Sequence, residues 1–235
     1  MVKALMLADD FHNQPQAASQ SMTIVAGRPF LEWQLLVLKA QGFNDIVLCV
    51  NEGADELATH FGDGSKLDLD IDYAIADDES GTASAVLAAS DLVDGTFLLL
   101  HATTFFDVDY QGLIDFHEGK EAALSMTLAI AGGSSDTASR YGSVSLDINH
   151  RITRFIEGSD SAESFDFGYA NGGAYAVEPA VLGEIAPNSH ASFEDVAAGL
   201  IDNRSVFGYI SDGYPIDITT NEGLTIAQKY FAPHA

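Results

Sequence analysis

The chain has 235 residues, of which 47% are hydrophobic, so it can bury a sizeable core, most simply as one domain over residues 1–235. Acidic residues outnumber basic ones by 35 to 10, which gives a formal net charge of −25. A surface of that sign repels nucleic acid and anionic membranes, which excludes both as partners. No apolar run is long enough to span a membrane and no signal-peptide pattern opens the sequence, so we expect a cytoplasmic protein.

The acidic surface has two interpretations. It can serve solubility or a salty habitat, in which salt screens the repulsion between carboxylates, or it can dock a basic partner. The same composition leaves only 10 cationic side chains, which is unfavourable for a site that must hold several phosphate groups. The single cysteine, Cys49, lies in an apolar run, where we expect a buried, reduced thiol.

The first half of the chain alternates short apolar runs with helical patterns. Leu31, Leu35 and Leu38 recur at helical spacing after Pro29, which the pattern places at the first helical position, and Gly42 closes the helix. The order of strand, helix and strand predicts a parallel, doubly wound sheet. The predicted strands cover residues 2–8, 45–50, 71–76 and 96–101, and the predicted helices cover residues 29–42, 54–61, 82–90 and 110–117.

The second half is richer in strands and includes a predicted hairpin turn at residues 148–150. Together the two halves predict the α/β class, with a Rossmann-like, doubly wound sheet that is mixed but mostly parallel. The predicted strands cover residues 122–131, 142–147, 151–156, 169–177, 205–210 and 214–218, and the predicted helices cover residues 179–185, 193–201 and 222–230.

Six segments point together to one enzyme family. They are VAGRPFLEWQLLVLKAQGFNDIVLCV (25–50), DESGTASA (78–85), FFDVDY (105–110), RYGSVSLDINHRITRFIE (140–157), NGGAYAVEP (171–179) and DGYPIDI (212–218). Their order along nearly the whole chain resembles that of the sugar-1-phosphate nucleotidyltransferases, most of all the mannose-1-phosphate and D-glycero-D-manno-heptose 1-phosphate guanylyltransferases. The resemblance implies the fold of the nucleotide-diphospho-sugar transferases.

The resemblance also implies a reaction. An oxygen of a sugar 1-phosphate attacks the α-phosphate of a nucleoside triphosphate, pyrophosphate leaves, and a nucleotide sugar forms. The protein mainly holds two anions in line and neutralises the developing charge, usually with Mg²⁺ and cationic side chains. Each family position that supplies such a charge can therefore be checked against this chain.

The phosphate-binding loop departs most from the family pattern. In the family a Gly-Gly-x-Gly-Thr-Arg-Leu loop follows the first strand, because glycines let backbone N–H groups wrap the phosphates. Here Ala8, which the resemblance places at the nucleotide, is followed by Asp9 and Asp10 in a loop without glycine. Gln20 takes the place of the family's lysine. We interpret residues 9–23 as an ordinary solvated loop.

The two metal-binding aspartates of the family correspond to Thr103 and Asp217. A neutral hydroxyl replaces the first carboxylate, so we assign no residue a catalytic role. Asp217 can hold a hydrated Mg²⁺ if the protein is active, or it can cap the turn before the last helix, and both interpretations remain open. We interpret the nearby His101 as structural, because the seven histidines show no metal-ligand spacing.

The segments that the family uses to recognise the base and the sugar match the family pattern more closely than the phosphate loop does. Gly81 and Thr82 match the family's base-binding residues, with Glu79 just before them. The alternative for Gly81 and Thr82 is ordinary helix-start chemistry, since both residue types are common there.

On the sugar side, the family's Tyr-Gly pair is present as Tyr141 and Gly142, and its glutamate and asparagine as Glu157 and Asn171. The lysine that follows the glutamate in the family is Gly158 here. A glutamate can hold sugar hydroxyls, but it cannot bind the phosphate of the sugar.

Three hypotheses follow. The first is a catalytically dead or weak family member that binds a nucleotide or sugar phosphate and acts as a regulatory or assembly subunit, with an active relative or another copy of itself as partner. The second is an active guanylyltransferase that uses Mg²⁺ and takes cations from Arg28, Arg140 or a neighbouring subunit. The third is an acidic docking face whose association with a basic partner depends on salt.

Overall fold

A computed structural model describes residues 2–8, 19–51, 55–76, 81–130, 141–156, 168–187, 189–213 and 215–234. The strands are β1 (Lys3–Leu7), β2 (Ile24–Val25), β3 (Arg28–Pro29), β4 (Asp45–Asn51), β5 (Asp70–Ala76), β6 (Phe97–His101), β7 (Thr104–Phe105), β8 (Leu124–Ile130), β9 (Ser143–Leu146), β10 (Ile152–Ile156), β11 (Tyr169–Val177), β12 (Val206–Ser211) and β13 (Ile216–Asp217). The α-helices are α1 (Phe30–Ala40), α2 (Asp55–Phe61), α3 (Thr82–Ala88), α4 (Tyr110–Gly119), α5 (Phe193–Leu200) and α6 (Asn221–Phe231).

One sheet organises the molecule. Its strand order is β10-β9-β11-β6-β1-β4-β5, with β8 paired to β11 and β12 paired to β8. Strand β1 is parallel to both β4 and β6, whereas β11 is antiparallel to β6, β8 and β9. Strands β10 and β11 run against the others. The predicted class, a mixed but mostly parallel α/β sheet, is confirmed.

Both faces of the sheet are covered by apolar side chains. Along β1, Leu5 and Leu7 belong to a core cluster that includes residues of α3 and α5. Ala4 and Met6, on the opposite face, belong to a cluster that includes residues of α1, α2 and α4. Burial on both faces explains why the central strands are continuous apolar runs instead of alternating ones. No helix within the described ranges is long and apolar enough to cross a membrane.

The start of α1 differs from the prediction. Pro29 is the N-cap of α1 and lies in β3, where it pairs with Ile24 of β2. The connecting residues Ala26 and Gly27 both have positive φ, 46° and 85°, as a tight hairpin requires. The sequence pattern missed this hairpin because an Ala-Gly pair is not one of the usual hairpin signals, and a proline before a helical repeat normally indicates N1.

The other elements follow the predicted order with small changes. The segment predicted as a helix at residues 179–185 is a 3-10 helix, Pro179–Glu184. Of the strand predicted at 214–218, the described part contains Ile216–Asp217, and residue 214 lies outside the described residues. Within the predicted loop at 9–23, Gln20–Met22 form a short 3-10 helix. Cys49 is buried as expected, and that burial raises the pKa of its thiol to about 12.

Candidate functional site

Strand β1 has parallel neighbours on both sides, β4 on one and β6 on the other, so the strand order reverses at β1. Open α/β sheets bind ligands at the carboxyl ends of the strands beside such a reversal, which here are the ends of β1, β4 and β6. Ala8 follows β1 at this edge and is buried. Its N–H donates to the carbonyl of Cys49 at 2.9 Å, and its carbonyl accepts hydrogen bonds from Ser19 and Ser21, each at 2.8 Å. Ala8 therefore lies at the end of β1 on this edge, with its backbone groups paired inside the protein.

Few of the cations expected around a phosphate can be assigned to this edge from the residues that the structure describes. Asp9, Asp10 and Arg140 lie outside the described residues. Gln20, which takes the place of the family's lysine, begins the 3-10 helix Gln20–Met22 and is half-buried. A neutral amide of this kind cannot neutralise a phosphate.

Arg28, the described cation that we considered as a replacement, is held by other contacts. Its Nη1 donates to Oε1 of Glu32 at 2.7 Å, and its guanidinium lies 5.2 Å from the ring centroid of Trp33. An arginine paired with a carboxylate offers little net charge to a phosphate. Its location supports a structural role at the start of α1.

Gly81 and Thr82 begin α3 and pack directly against the chain that enters α5. A Cβ on Gly81 would lie 2.3 Å from the carbonyl oxygen of Ala191, so this position admits only glycine. The hydroxyl of Thr82 accepts a hydrogen bond from the N–H of Phe193 at 2.8 Å. Both predicted base-binding residues thus have a packing role, while Glu79 lies outside the described residues.

The segments that contain Thr103 and Asp217 lie side by side, although more than a hundred residues separate them along the chain. Strands β7 and β13 pair with Asp217 opposite Thr104, and the N–H of Ile218 donates to the carbonyl of Thr103 at 3.0 Å. Oδ1 of Asp217 accepts hydrogen bonds from the N–H and the hydroxyl of Thr219, at 2.9 and 2.7 Å. The carboxylate thereby stabilises the turn that leads into α6.

This donor set is a poor match for the expected Mg²⁺. Thr103 contributes a neutral hydroxyl and Asp217 one carboxylate that is already hydrogen-bonded, whereas Mg²⁺ prefers carboxylates and water in octahedral geometry. In the described ranges, no group of three or more His, Cys, Asp or Glu side chains is placed to hold a metal ion. The described residues do not fit the two-carboxylate metal site of the resemblance.

Asn171, one of the predicted sugar-side residues, lies at an irregularity in β11. The first part of β11 pairs with β8 and β9, the last part pairs with β8 and β6, and the register shifts between Asn171 and Tyr175. Gly173, with a φ of 75°, makes this irregularity possible, since most side chains avoid that backbone region. Asn171 is therefore held at a fixed break in the strand.

Three of the predicted sugar-binding residues, Tyr141, Gly142 and Asn171, contact one another or the segment that leads to Asp217. The N–H of Asn171 donates to the carbonyl of Gly142 at 3.3 Å, and the hydroxyl of Tyr141 donates to the carbonyl of Pro215 at 3.3 Å, two residues before Asp217. Tyr141, Gly142 and Asn171 therefore lie close to one another and to the segment before Asp217. Glu157 and Gly158 lie outside the described residues.

A buried chain of hydrogen bonds connects the end of β6 to Asn171. Nε2 of His101 lies 3.0 Å from Oε1 of Glu194, the second residue of α5. The hydroxyl of Tyr175 donates to the same oxygen at 2.6 Å, and Nδ2 of Asn171 donates to the hydroxyl of Tyr175 at 2.7 Å. These contacts support a structural role for His101, and they extend that role to the sugar side.

Glu194 is ionised in this arrangement despite its burial. Burial by itself raises the pKa of its carboxyl, but the charge of His101 and the hydrogen bonds from His101 and Tyr175 outweigh that effect and lower the pKa to about 2. The lowered pKa favours the ionised carboxylate between α5 and the end of β6.

Comparison with known proteins establishes the family. A family model described as nucleotidyl transferase matches residues 16–229. The chain belongs to the nucleotidyl transferase family. The membership predicted from the six segments is thereby confirmed, and members of this family generally use Mg²⁺.

Two curated relatives of this family member are guanylyltransferases. The mannose-1-phosphate guanylyltransferase of Mycobacterium tuberculosis is 26% identical over 210 residues, which cover 88% of this chain and 56% of the relative. The D-glycero-alpha-D-manno-heptose 1-phosphate guanylyltransferase of Campylobacter jejuni is 27% identical over 201 residues, covering 86% of this chain and 85% of the relative. The chain spans little more than half of the first relative and most of the second.

Solved structures of other nucleotidyl transferases share the fold. HddC from Yersinia pseudotuberculosis, complexed with GMP-PN, superposes with a TM-score of 0.77 at 21% identity and covers 98% of this chain and 100% of its own. The UTP-bound UGPase from Acinetobacter baumannii gives a TM-score of 0.78 at 17% identity, covering 100% of this chain and 95% of its own. Both of those proteins bind nucleotides.

Sequence reasoning about this family member missed Glu194 and Tyr175. The pattern Ser-Phe-Glu-Asp predicts a helix start, and Ser192 and Asp195 do form a capping box there. An acidic residue in the first turn of a helix is normally explained by the helix dipole and solvent. Nothing local in the pattern indicates that this carboxylate turns inward, because its partners are 19 and 93 residues away.

Proposed function

We propose that this member of the nucleotidyl transferase family binds a nucleotide or sugar phosphate but is catalytically inactive or very weak, and that it acts as a binding, regulatory or assembly subunit. The observation that carries this proposal is the pairing of β7 with β13. The residue that the resemblance aligns with the family's other metal carboxylate is Thr103, which precedes β7, and its carbonyl accepts a hydrogen bond from the N–H of Ile218, the residue after Asp217. In this proposal the partner is an active relative or a second copy of the chain, and the complex is cytoplasmic.

The size of the expected loss follows from the chemistry. Phosphoryl transfer depends on positioning and on charge stabilisation, and each missing contact of that kind costs about 3–4 kcal/mol, or two to three orders of magnitude in rate. Such losses do not simply add. Replacement of a metal carboxylate by Thr103 and of a lysine by Gln20 is nevertheless enough to remove most of the catalytic advantage.

The alternative function is an active sugar-1-phosphate guanylyltransferase with a divergent phosphate loop. It is favoured by the names of the relatives and by the retention of Asp217, Tyr141 and Asn171. It requires Mg²⁺ and cations that Arg28 does not offer, which leaves Arg140 or a neighbouring subunit as their source.

The deciding experiment measures pyrophosphate release with Mg²⁺, using each common nucleoside triphosphate against mannose 1-phosphate and heptose 1-phosphate at low and high salt. We expect no turnover, together with measurable binding of GTP or a sugar 1-phosphate by calorimetry. Thr103→Asp is expected not to restore turnover, because the phosphate loop also departs from the family.

Other results of these measurements would lead to different conclusions. Turnover by the wild-type protein that disappears in Asp217→Ala, with an unchanged melting temperature, would establish the active alternative. Retention of full turnover in Asp217→Ala would point to a contaminating enzyme. If the protein binds no ligand and instead associates with a basic partner in a salt-dependent manner, the acidic surface itself becomes the functional feature.

A further inference from the structure

The beginning of α5 joins segments that the family uses for different parts of the ligand. The N–H of Phe193 donates to the hydroxyl of Thr82, at the expected base-binding turn. The carbonyl of Ser189 accepts hydrogen bonds from the N–H of Gly81 at 3.0 Å and from the hydroxyl of Ser84 at 2.8 Å. The first turn of α3 is thus attached to the chain that enters α5.

Glu194, the residue after Phe193, contacts the strand that carries Asn171 and the end of β6. Its Oε1 accepts the hydrogen bond from Tyr175, whose hydroxyl in turn accepts one from Asn171, and it pairs with His101 at the end of β6. His101 is two residues before Thr103. A single carboxylate therefore contacts both the strand that leads to the metal position and the strand that carries Asn171.

The environment of Glu194 distinguishes it from an ordinary surface acid. Its side chain is only 11% exposed, and His101 is 23% exposed. An ionised carboxylate at this depth is stable only if charge and hydrogen bonds compensate for the lost water, and loss of either partner leaves a buried charge uncompensated. The positions of His101 and Tyr175 are therefore coupled through Glu194.

We propose that Glu194 is a positioning residue for ligand binding, because it fixes the end of β6 through His101 and the amide of Asn171 through Tyr175, so that the nucleotide side and the sugar side keep a constant spacing. This inference rests on the proposed function, since it requires that the site binds a nucleotide or a sugar phosphate. Glu194 itself does not touch the ligand.

The test compares Glu194→Gln, Tyr175→Phe and a control variant, Glu178→Gln. The affinities for GTP and for mannose 1-phosphate are measured separately by calorimetry. Glu194→Gln should weaken both ligands by about tenfold, a typical size for coupling between sites. Tyr175→Phe breaks only the branch to Asn171, so it should weaken mannose 1-phosphate by about tenfold and GTP by less than about twofold.

The matched control is Glu178→Gln. Glu178 pairs with His117 at 3.2 Å, but it lies at the opposite edge of the sheet. We expect this variant to lower the melting temperature while it changes the affinity for either ligand by less than about twofold. If Glu194→Gln fails to fold, His101→Gln and Tyr175→Phe carry the same comparison through one branch each.

The outcomes separate the two proposals. Binding by the wild type, with the losses confined to the Glu194 and Tyr175 variants, supports the positioning role. Binding by the wild type with equal affinities in all variants, or with losses that only follow melting temperature across Glu194→Gln and Glu178→Gln, overturns the positioning role alone. No binding of either ligand by the folded wild type overturns the proposed function and the positioning role with it.

Discussion

Two histidine–glutamate pairs lie at opposite ends of the same strand, β6. At its carboxyl end, His101 pairs with Glu194 at 3.0 Å, and the carboxylate is the more deeply buried partner. At its amino end, Thr96 donates to Glu178, which pairs with His117 at 3.2 Å, and there the histidine is 1% exposed while the glutamate is 41% exposed. The residue types are the same, but the buried member is exchanged.

Because a different partner is buried in each pair, a different protonation state is favoured at each end of β6. At the amino end, burial lowers the pKa of His117 against the opposing effect of Glu178, so the neutral ring is favoured, and its Nδ1 lies 3.0 Å from the hydroxyl of Ser125. At the carboxyl end, Glu194 stays ionised. The more deeply buried partner at the edge expected to bind a ligand is therefore a carboxylate, whereas the buried partner at the opposite end of β6 is a histidine whose neutral ring is favoured by burial.

The largest predicted effect is a difference in pH dependence between the two pairs. The pKa of Glu194 is lowered from 4.5 to about 2, so its contribution to folding is present above the pKa of the unfolded state and is lost as the pH falls through the folded-state pKa. We expect a loss of about 3 kcal/mol between about pH 5 and pH 2. Urea unfolding of wild type and Glu194→Gln over this range measures it.

His117 supplies the contrast. Its folded-state pKa is lower than the ordinary value of 6.5, so the unfolded state takes up a proton first and stability falls as the pH drops below about 6.5. His117→Gln should flatten the stability curve in this upper window and leave the lower window unchanged. Overlapping pH profiles for the two variants would contradict the distinction between the pairs.

A second prediction concerns the tight packing behind Asp217. A Cβ on Gly223 of α6 would lie 1.8 Å from the carbonyl oxygen of Asp217, so Gly223→Ala must move either the helix or the turn. We expect a loss of about 2–3 kcal/mol in unfolding free energy. In Gly199→Ala of α5, nothing lies within 4 Å of the added Cβ, so stability should be unchanged or should rise by up to about 1 kcal/mol. Equal stabilities of these variants would refute the crowding at Asp217.

A smaller effect is expected at the start of α5. Ser192 accepts a hydrogen bond from the N–H of Asp195 at 2.9 Å as N-cap, and Asp109 caps α4 in the same way through Gly112. Ser192→Ala and Asp109→Ala should each cost about 1 kcal/mol by urea unfolding. Only Ser192→Ala should weaken the binding of mannose 1-phosphate, because it loosens the turn that carries Glu194. Equal binding by both variants would show that this turn is not part of the site.

The smallest effect is expected at the amino end of β1. Lys3 and Asp72 are 3.9 Å apart and both partly exposed, so Lys3→Ala should change stability by less than about 0.5 kcal/mol. Added salt should stabilise the wild type and the variant equally, because it screens the repulsion within a chain of net charge −25. A melting temperature that falls with salt in either protein would contradict this account.

Most strands and helices were predictable because their signals are local. Leu31, Leu35 and Leu38 specify the buried face of α1 through helical spacing alone, and Gly42 ends that helix with a φ of 89°. The hairpin at Ala26 and Gly27 was missed, because an Ala-Gly pair is not a usual hairpin signal and Ala26 adopts a positive φ that alanine rarely takes.

The features of the candidate site also fall into two groups, those that the sequence predicts and those that depend on the tertiary structure. The prediction that Thr103 replaces a metal carboxylate and Gln20 a lysine came from the chain alone, because it concerns residue types within a family pattern. Only the tertiary structure shows that the segments of Thr103 and Asp217 lie side by side and that Asp217 is hydrogen-bonded to Thr219. The contacts of Glu194 with both His101 and Tyr175 also depend on it. Helix and strand preferences act over a few residues, whereas a buried charge finds its partners only when distant strands and helices are packed against each other.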